Sequence, residues 1–330
     1  MMKLGLWLAE KGFIPDFLLR IAIRRLSLTR LADKSLLSEK SKIAASFKEG
    51  AIAEQTLEAN EQHYEVPPSF FTKVLGKNLK YSCCLYETQK ETLVEAEEKM
   101  LELYLSRAEI CDGQKILDLG CGWGSFSLFA AKRFPKNSFT SISNSQDQID
   151  FITAEAKSRG LNNINALKID INELDIEDRF DRIVSIEMFE AVGEKYWSIY
   201  IDVLKKNLKS DGSIGLQTIT IEDKFFQKYK KFPDFIQTYI FPGGMLPSVE
   251  EMNKVITSRG LHITNQKMFG NDYAKTIRIW SESFENSWGC IKSLGFSESF
   301  KRLWNYYLGY CEGGFKSGNI NVGQFLIKKV

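Results

Sequence analysis

Residues 115–125, KILDLGCGWGS, constrain this chain more than any other stretch. Lys115–Leu119 reads as a short apolar strand that carries one acid, Asp118, among aliphatic residues. Gly120, Gly122 and Gly124 then alternate through a turn, and Ser125–Arg133 reads as an amphipathic helix. Glycines lack a Cβ, so backbone amides approach a ligand closely and positive φ is accessible. The start of the helix adds partial positive charge at the same point. A strand, a glycine-rich turn and a helix in this order form a cradle for a nucleotide.

The units that follow alternate. Residues 137–142, 164–169, Phe180–Ile186 and 213–221 have strand character, and residues 146–159 and 196–208 have helical spacing. A further helix is expected over residues 89–110, ahead of the first strand. Strands alternating with helices predict an α/β fold with a doubly wound, mainly parallel sheet, and ligands at the carboxyl ends of its strands. A chain of 330 residues with 44% hydrophobic content can bury a full core.

Net charge is only +2, which gives nucleic-acid binding no support. The charge is uneven, because residues 1–50 hold ten Lys/Arg and five Asp/Glu, a net of +5 that leaves −3 for the rest. Residues 3–31 read as two short helices broken near Pro15. The second is basic and amphipathic, and suits either the surface of an anionic bilayer or packing on the domain with solvated arginines. Six cysteines without a CxxC pair, and only two histidines, His63 and His262, argue against a zinc site and a disulfide framework. That balance fits a cytoplasmic protein. No apolar run reaches the ~18 residues needed to span a bilayer.

The glycine turn is not the G-x-G-x-x-G of dinucleotide folds. Its D-x-G-x-G-x-G form resembles motif I of class I S-adenosylmethionine-dependent methyltransferases. Residues 60–87, with Pro67-Pro68, dense aromatics and Tyr81-Ser82-Cys83-Cys84, narrow the resemblance. They resemble the cyclopropane-fatty-acyl-phospholipid synthase family, which includes coclaurine N-methyltransferase and its relatives. Residues 234–248 (DFIQTYIFPGGMLPS), 269–280 and 304–325 resemble the lipid-modifying branch, so the likeness covers nearly the whole chain after residue 55. It implies a Rossmann-like class I methyltransferase sheet with an N-terminal helical lid and inserted helices over the substrate site. It divides the chain into an N-terminal helical segment (1–58), lid helices over the cofactor mouth (59–110) and a cofactor-binding domain (111–330), with a substrate-covering insertion around 222–310.

The resemblance also assigns roles. His63-Tyr64 starts a lid, and Tyr81 and Ser82 contact the cofactor together with Asp118, Gly120, Gly122 and Gly124. After the second strand the chain has Ser143-Asn144-Ser145-Gln146 where many nucleotide-binding domains carry an acid, and Asn144 and Gln146 are expected at the cofactor. Asp170 is either an adenine contact or a helix cap. Glu187 and Glu190, in SIEMFEAVG just after the fourth strand, stand where a carboxylate can stabilise a sulfonium or a cationic intermediate. They also suit a helix N-terminus by complementing its dipole.

In the family Glu190 aligns with the active-site glutamate, and in the coclaurine-type enzymes a histidine follows where this chain has Ala191. In the cyclopropane synthases a bound bicarbonate acts as base, and its ligand set carries over as Cys83, Glu190, Ile219 and Tyr273, with Gln217 in place of a histidine. Phe235, Ile236, Tyr239, Ile240, Phe241, Met245 and Leu246 are expected to wall an acyl channel, with Tyr239 and Tyr273 offering faces to a cation. The expected activity is transfer of a methyl(ene) group from S-adenosylmethionine to the double bond of unsaturated fatty acyl chains of phospholipids at the membrane surface. The product would be a cyclopropane or a methyl-branched chain. The alternative is N-methylation of a small amine. A peripheral position on the inner membrane surface, and a homodimer, are compatible with the resemblance.

Overall fold

The computed structural model describes residues 66–329, apart from 175, 177, 178, 233 and 242 and the side chains of Thr238 and Tyr239. The helices expected over residues 3–31, the 1–58 segment, and His63-Tyr64, with which the expected lid begins, lie outside the described residues.

The chain enters through α1 (Pro68–Val74) and α2 (Leu93–Arg107). Thr92 caps α2 by accepting from the Glu95 N–H while the Glu95 carboxylate accepts from the Thr92 N–H, which satisfies donors at both ends of that turn. There follow β1 (Lys115–Leu119), α3 (Ser125–Arg133), β2 (Ser138–Ser143), α4 (Gln146–Ser158), β3 (Ile164–Lys168) and β4 (Phe180–Ile186). Two 3₁₀ turns, Phe189–Ala191 and Glu194–Tyr196, lead into α5 (Trp197–Asn207) and β5 (Leu208–Ile221). The remainder is α6 (Asp223–Lys231), a π-helical turn (Ile236–Ile240), α7 (Val249–Ser258), β6 (Leu261–Met268), α8 (Gly270–Asn286), α9 (Trp288–Ser293), α10 (Glu298–Ser317) and β7 (Ile320–Lys329).

The seven strands lie in the order β3-β2-β1-β4-β5-β7-β6. β1 to β5 run parallel, and β7 is antiparallel to both of its neighbours. Strand order reverses between β1 and β4, so a crevice opens at their carboxyl ends, where doubly wound sheets bind ligands.

Side chains alternate across the sheet and feed two cores. Ile116 and Val184 pack with Met100, Leu101, Phe126 and Trp280 on one face, while Leu117 and Ile183 pack with Trp197, Ile201, Leu204 and Met252 on the other. This is the doubly wound Rossmann-like fold expected from the sequence. Two details differ. β5 begins at Leu208 rather than at 213, and the 222–310 region holds a strand of the sheet, β6, besides its helices.

Candidate active site

The glycine turn is fixed to β2, because the N–H groups of Gly120 and Cys121 both donate to the Ile142 carbonyl, at 3.0 and 2.9 Å. Gly120, Gly122 and Gly124 have φ of 78°, 52° and 75°, left-handed values that favour glycine. Their neighbours differ. A Cβ on Gly120 would stand 2.7 Å from Met188 Sδ, and one on Gly124 2.6 Å from Ile152 Cγ1. A Cβ on Gly122 would meet no protein atom within 4 Å. Gly120 and Gly122 line a cavity of about 360 Å³, whereas Gly124 starts α3 behind it. Ser125, also on the cavity wall, has a buried hydroxyl without a hydrogen-bond partner among the described residues.

Asp118 is buried and accepts from the Ser127 hydroxyl at 2.6 Å, which ties β1 to α3. Burial pushes its carboxyl up to about 7, against the hydrogen bonds from Ser127.

At the ends of β2 and β3, Asn144 and Asp170 line the cavity. Asp170 also caps a turn, its Oδ1 accepting from the Asn172 N–H at 2.9 Å, so it is both helix cap and cavity wall. Gln146 is placed differently from the expectation. It is exposed and donates to Asp150 at 2.7 Å, while Gln148 lines the cavity and accepts from Ser143 at 2.7 Å. Ser145 caps α4, so Gln146 is its first residue and Gln148 its third. Two residues of helix rotate a side chain by about 200°.

Tyr81 and Ser82 reach the cavity from the segment before α2. Tyr81 packs between Phe71 and Trp280, with ring centroids 5.2 and 5.5 Å away, and its hydroxyl lies 3.2 Å from that of Tyr307. Beside them is a residue that sequence reasoning missed. Lys80 is 1% exposed, donates to Ser82 Oγ and the Cys83 carbonyl, both at 2.6 Å, and has its ammonium 5.2 Å from the centre of the Tyr104 ring. A buried lysine whose ammonium meets no carboxylate among the described residues is costly. The only signal in the sequence is its place directly before Tyr81-Ser82.

The acidic centre gathers five of the six expected catalytic residues around the sixth or beside it. Glu187 follows β4 with φ of 53°. Its Oε1 accepts from the Cys83 main-chain N–H at 3.0 Å and from Gln217 Nε2 at 2.6 Å, and its Oε2 accepts from the Tyr273 hydroxyl. Glu190 accepts from the Ile219 N–H, while its Oε2 is buried without a hydrogen-bond partner among the described residues. Gln217 is buried behind the cavity wall and oriented by Tyr104, whose hydroxyl donates to Gln217 Oε1 at 2.5 Å. Cys83 takes part through its backbone only. Its thiol is turned to the Cys84 carbonyl at 3.2 Å and away from the cavity.

Both acids are enclosed by protein yet line the cavity. Burial raises Glu187 above the usual carboxylate range, despite the Lys80 ammonium and the three donors that favour its ionised form. Burial, reinforced by the Glu187 charge, pushes Glu190 up to about 8 against the Ile219 N–H. Burial and then the Glu187 charge hold the Cys83 thiol well above its ordinary value, so it is no thiolate.

Of the expected apolar wall, Ile236, Phe241, Met245 and Leu246 line the cavity. Phe235 packs instead on Tyr306, with centroids 4.5 Å apart, and Ile240 joins the core. The Tyr239 side chain is outside the described residues. Ile277, Trp280, Tyr307 and Leu308, from α8 and α10, complete the wall. Sequence reasoning did not single them out, because aromatic residues at helical spacing read equally well as core.

A family model described as mycolic acid cyclopropane synthetase matches residues 52–325. The chain is 32% identical to the cyclopropane-fatty-acyl-phospholipid synthase of Escherichia coli (strain K12), over 82% of this chain and 67% of that protein. It is 29% identical to the (S)-coclaurine N-methyltransferase of Thalictrum flavum subsp. glaucum, over 96% of this chain and 91% of that one. Among solved structures, coclaurine N-methyltransferase bound to N-methylheliamine and SAH superposes with a TM-score of 0.82 at 26% identity, over 98% of each chain. The extent of the matched span and the identity to the Escherichia coli enzyme establish that this chain belongs to the mycolic acid cyclopropane synthetase family of S-adenosylmethionine-dependent methyltransferases.

Proposed function

We propose that the protein transfers the methyl carbon of S-adenosylmethionine to the double bond of an unsaturated fatty acyl chain carried by a phospholipid, and that the product is a cyclopropane or a methylene- or methyl-branched chain. The observation that carries this reading is the cavity. It runs from the glycine turn to two half-buried carboxylates, and its wall beyond them is mostly hydrocarbon and aromatic, with Lys228, Asp234, Gln237 and Asn319 among its polar residues.

The residues fit the cofactor. Gly122 leaves open the space a side chain would fill, and Ser125 presents an unused hydroxyl to it. Gly120, Gly122, Asn144, Gln148 and Asp170 would hold S-adenosylmethionine, with Tyr81 and Ser82 closing over it. When bound, the cofactor supplies an electrophilic methyl on a sulfonium centre. An alkene is a weak nucleophile, so the chain's contribution is positioning and charge. Ile236, Phe241, Met245 and Leu246 hold the acyl chain by apolar contact and exclude water. Glu190, with one oxygen that has no partner among the described residues, faces the cation that develops on the acyl carbons.

α6 supports a phospholipid carrier. It buries Phe226 and Tyr229, and carries Lys224, Lys228 and Lys231 on the helix whose Lys228 and Tyr229 form part of the cavity wall, while its Lys230 is paired with Glu194 at 2.6 Å. These charges suit a phosphate headgroup left at the mouth when its tail enters, and so a peripheral association with an anionic bilayer.

A second reading, N-methylation of a small amine, is favoured by the match to coclaurine N-methyltransferase over 98% of the chain. Ala191 counts against it. This residue lines the cavity with a methyl group at the position where the resemblance to coclaurine-type enzymes implies a histidine. The two readings are separated by offering the purified protein methyl-labelled S-adenosylmethionine with monounsaturated phospholipid vesicles, with saturated vesicles, and with a panel of small amines. Label in the monounsaturated lipid alone supports the proposal, and label in an amine alone overturns it.

A further inference from the structure

The bicarbonate expected from the resemblance does not fit this chain. Three of the groups assigned to hold it, on Cys83, Gln217 and Tyr273, donate instead to one carboxylate. The Cys83 N–H and Gln217 Nε2 reach Glu187 Oε1 at 3.0 and 2.6 Å, and the Tyr273 hydroxyl reaches Oε2. The other two, the Ile219 N–H and Glu190, are bonded to each other. A free anion in this place would find its donors engaged and would face the Glu187 carboxylate.

We infer that Glu187 is a built-in replacement for the dissolved anion: its carboxylate fills the anion site and takes the proton that the methylated acyl chain must lose, so turnover needs no bicarbonate. The proton step rests on the acyl reading above. The filling of the anion site does not.

The backbone gives an independent argument. Glu187 has φ of 53°, in the left-handed region where glycine is the usual occupant and where non-glycine residues cluster at functional sites. A glutamate is kept here against the preference of its own backbone, and its side chain is the one that meets three donors. Those donors fix it and favour its ionised form, while burial raises its affinity for a proton, the combination suited to a general base.

The step balances without another reactant. Once the double bond has taken the methyl, the cation lies on the other carbon of the former double bond, and one C–H bond breaks. That C–H bond is one of the transferred methyl: its electron pair closes the ring onto the neighbouring cationic carbon, or, once a 1,2-hydride shift has moved the cation to the methyl-bearing carbon, becomes the double bond of an exomethylene, and the proton goes to a Glu187 oxygen. Loss of that proton to water restores the carboxylate.

Two variants test this. Glu187→Gly relieves the backbone and leaves the Cys83, Gln217 and Tyr273 donors facing a space of carboxylate size. Glu187→Gln keeps the shape and removes the basicity. In carbon-dioxide-free buffer, wild-type turnover should change by less than about twofold when bicarbonate is added, and Glu187→Gln should lose at least about 100-fold while SAH affinity is kept. Glu187→Gly should be inactive in that buffer and regain turnover with added bicarbonate. Titration with ¹³C-bicarbonate should broaden its NMR line with Glu187→Gly and leave it sharp with wild type. Stimulation of wild type by bicarbonate, binding of bicarbonate by wild type, full activity of Glu187→Gly without it, or no bicarbonate binding by Glu187→Gly would each overturn the inference. The NMR readout needs no lipid substrate. If the acyl reading fails, no protein labels lipid, and the bicarbonate titration still decides whether Glu187 fills the site.

Discussion

Gln217 and Glu187 are joined twice: the Gln217 side-chain amide donates to Glu187 Oε1 at 2.6 Å, and the Glu187 main-chain N–H donates to the Gln217 carbonyl at 2.8 Å. The strand that carries Gln217 thereby sets both the position and the direction of the half-buried acid. Gln217→Leu should lower kcat roughly 10- to 100-fold with SAH affinity intact, as expected for a residue that orients a reacting group. Loss of a donor to the ionised carboxylate raises its pKa, so the acid limb of the pH–rate profile should move upward. Gln217→His, which restores a donor, should recover more turnover than Gln217→Leu.

Lys80 acts on the same acid from a distance. It fixes the Ser82–Cys83 segment by two hydrogen bonds and lowers the pKa of Glu187 by its charge. Lys80→Met should reduce turnover about 10-fold or more and raise the pH at which the rate is half-maximal. A pH–rate profile unchanged from wild type would mean that Lys80 only braces the loop.

Glu190 couples cofactor affinity to pH. Held up to about 8, it is mostly protonated at neutral pH and ionises as pH rises. A sulfonium is favoured by the ionised form, so affinity for S-adenosylmethionine should rise between pH 6.5 and 8, by at most about 10-fold per unit, and then level. SAH has no sulfonium charge, and its affinity should stay flat over the same range. Calorimetric titration of both ligands across pH reads the difference.

The same shift has a consequence for stability with the opposite sign. A carboxyl whose folded-state pKa is raised stabilises the fold below its unfolded value, and that contribution is lost as pH rises through the folded value. For Glu190 the window runs from about 4.5 to about 8, and the loss to about 7 at Asp118 has the same sign. Thermal stability without ligand should therefore fall from pH 5 to pH 8. Glu190→Gln should unfold a few degrees above wild type at pH 8 and differ little from it at pH 5.

The three glycines of the turn should separate binding from folding. Gly122→Val sets a side chain in open cavity space and should weaken SAH binding by at least about 10-fold, with stability lost only through left-handed strain of about 1–2 kcal/mol or slightly more. In Gly124→Ala the new methyl meets Ile152 at 2.6 Å, and the main loss should be thermal stability. Equal effects of the two on affinity would contradict the assignment of Gly122 to the cofactor surface.

The sheet up to β5 was legible because its strands are short apolar runs set between turn residues, as in Lys115–Leu119 and Phe180–Ile186. β6 was not. Leu261–Met268 is an edge strand with mostly half-exposed or exposed side chains, so LHITNQKM carries no apolar pattern. The glycine turn and Glu190 were legible from local motifs and the resemblance they carry. Gln146 and Gln148 are both glutamines at the start of one helix, and only the Ser145 cap decides which of them faces inward. The contacts of Glu187 were beyond local reading, since its partners lie 104, 30 and 86 positions away in the chain. No spacing rule links residues brought together by a strand, a loop and a helix from three parts of the sequence.

The central claim, methyl transfer to an acyl double bond, is tested most directly by mass spectrometry of the lipid product. Purified protein is incubated with methyl-labelled S-adenosylmethionine and vesicles of monounsaturated phospholipid, and the acyl chains are released and weighed. The account predicts a labelled chain heavier by one CH₂ unit, formed without added bicarbonate, whose resistance to hydrogenation distinguishes a cyclopropane from an exomethylene. Acyl chains that stay unlabelled while the same preparation binds SAH would contradict it.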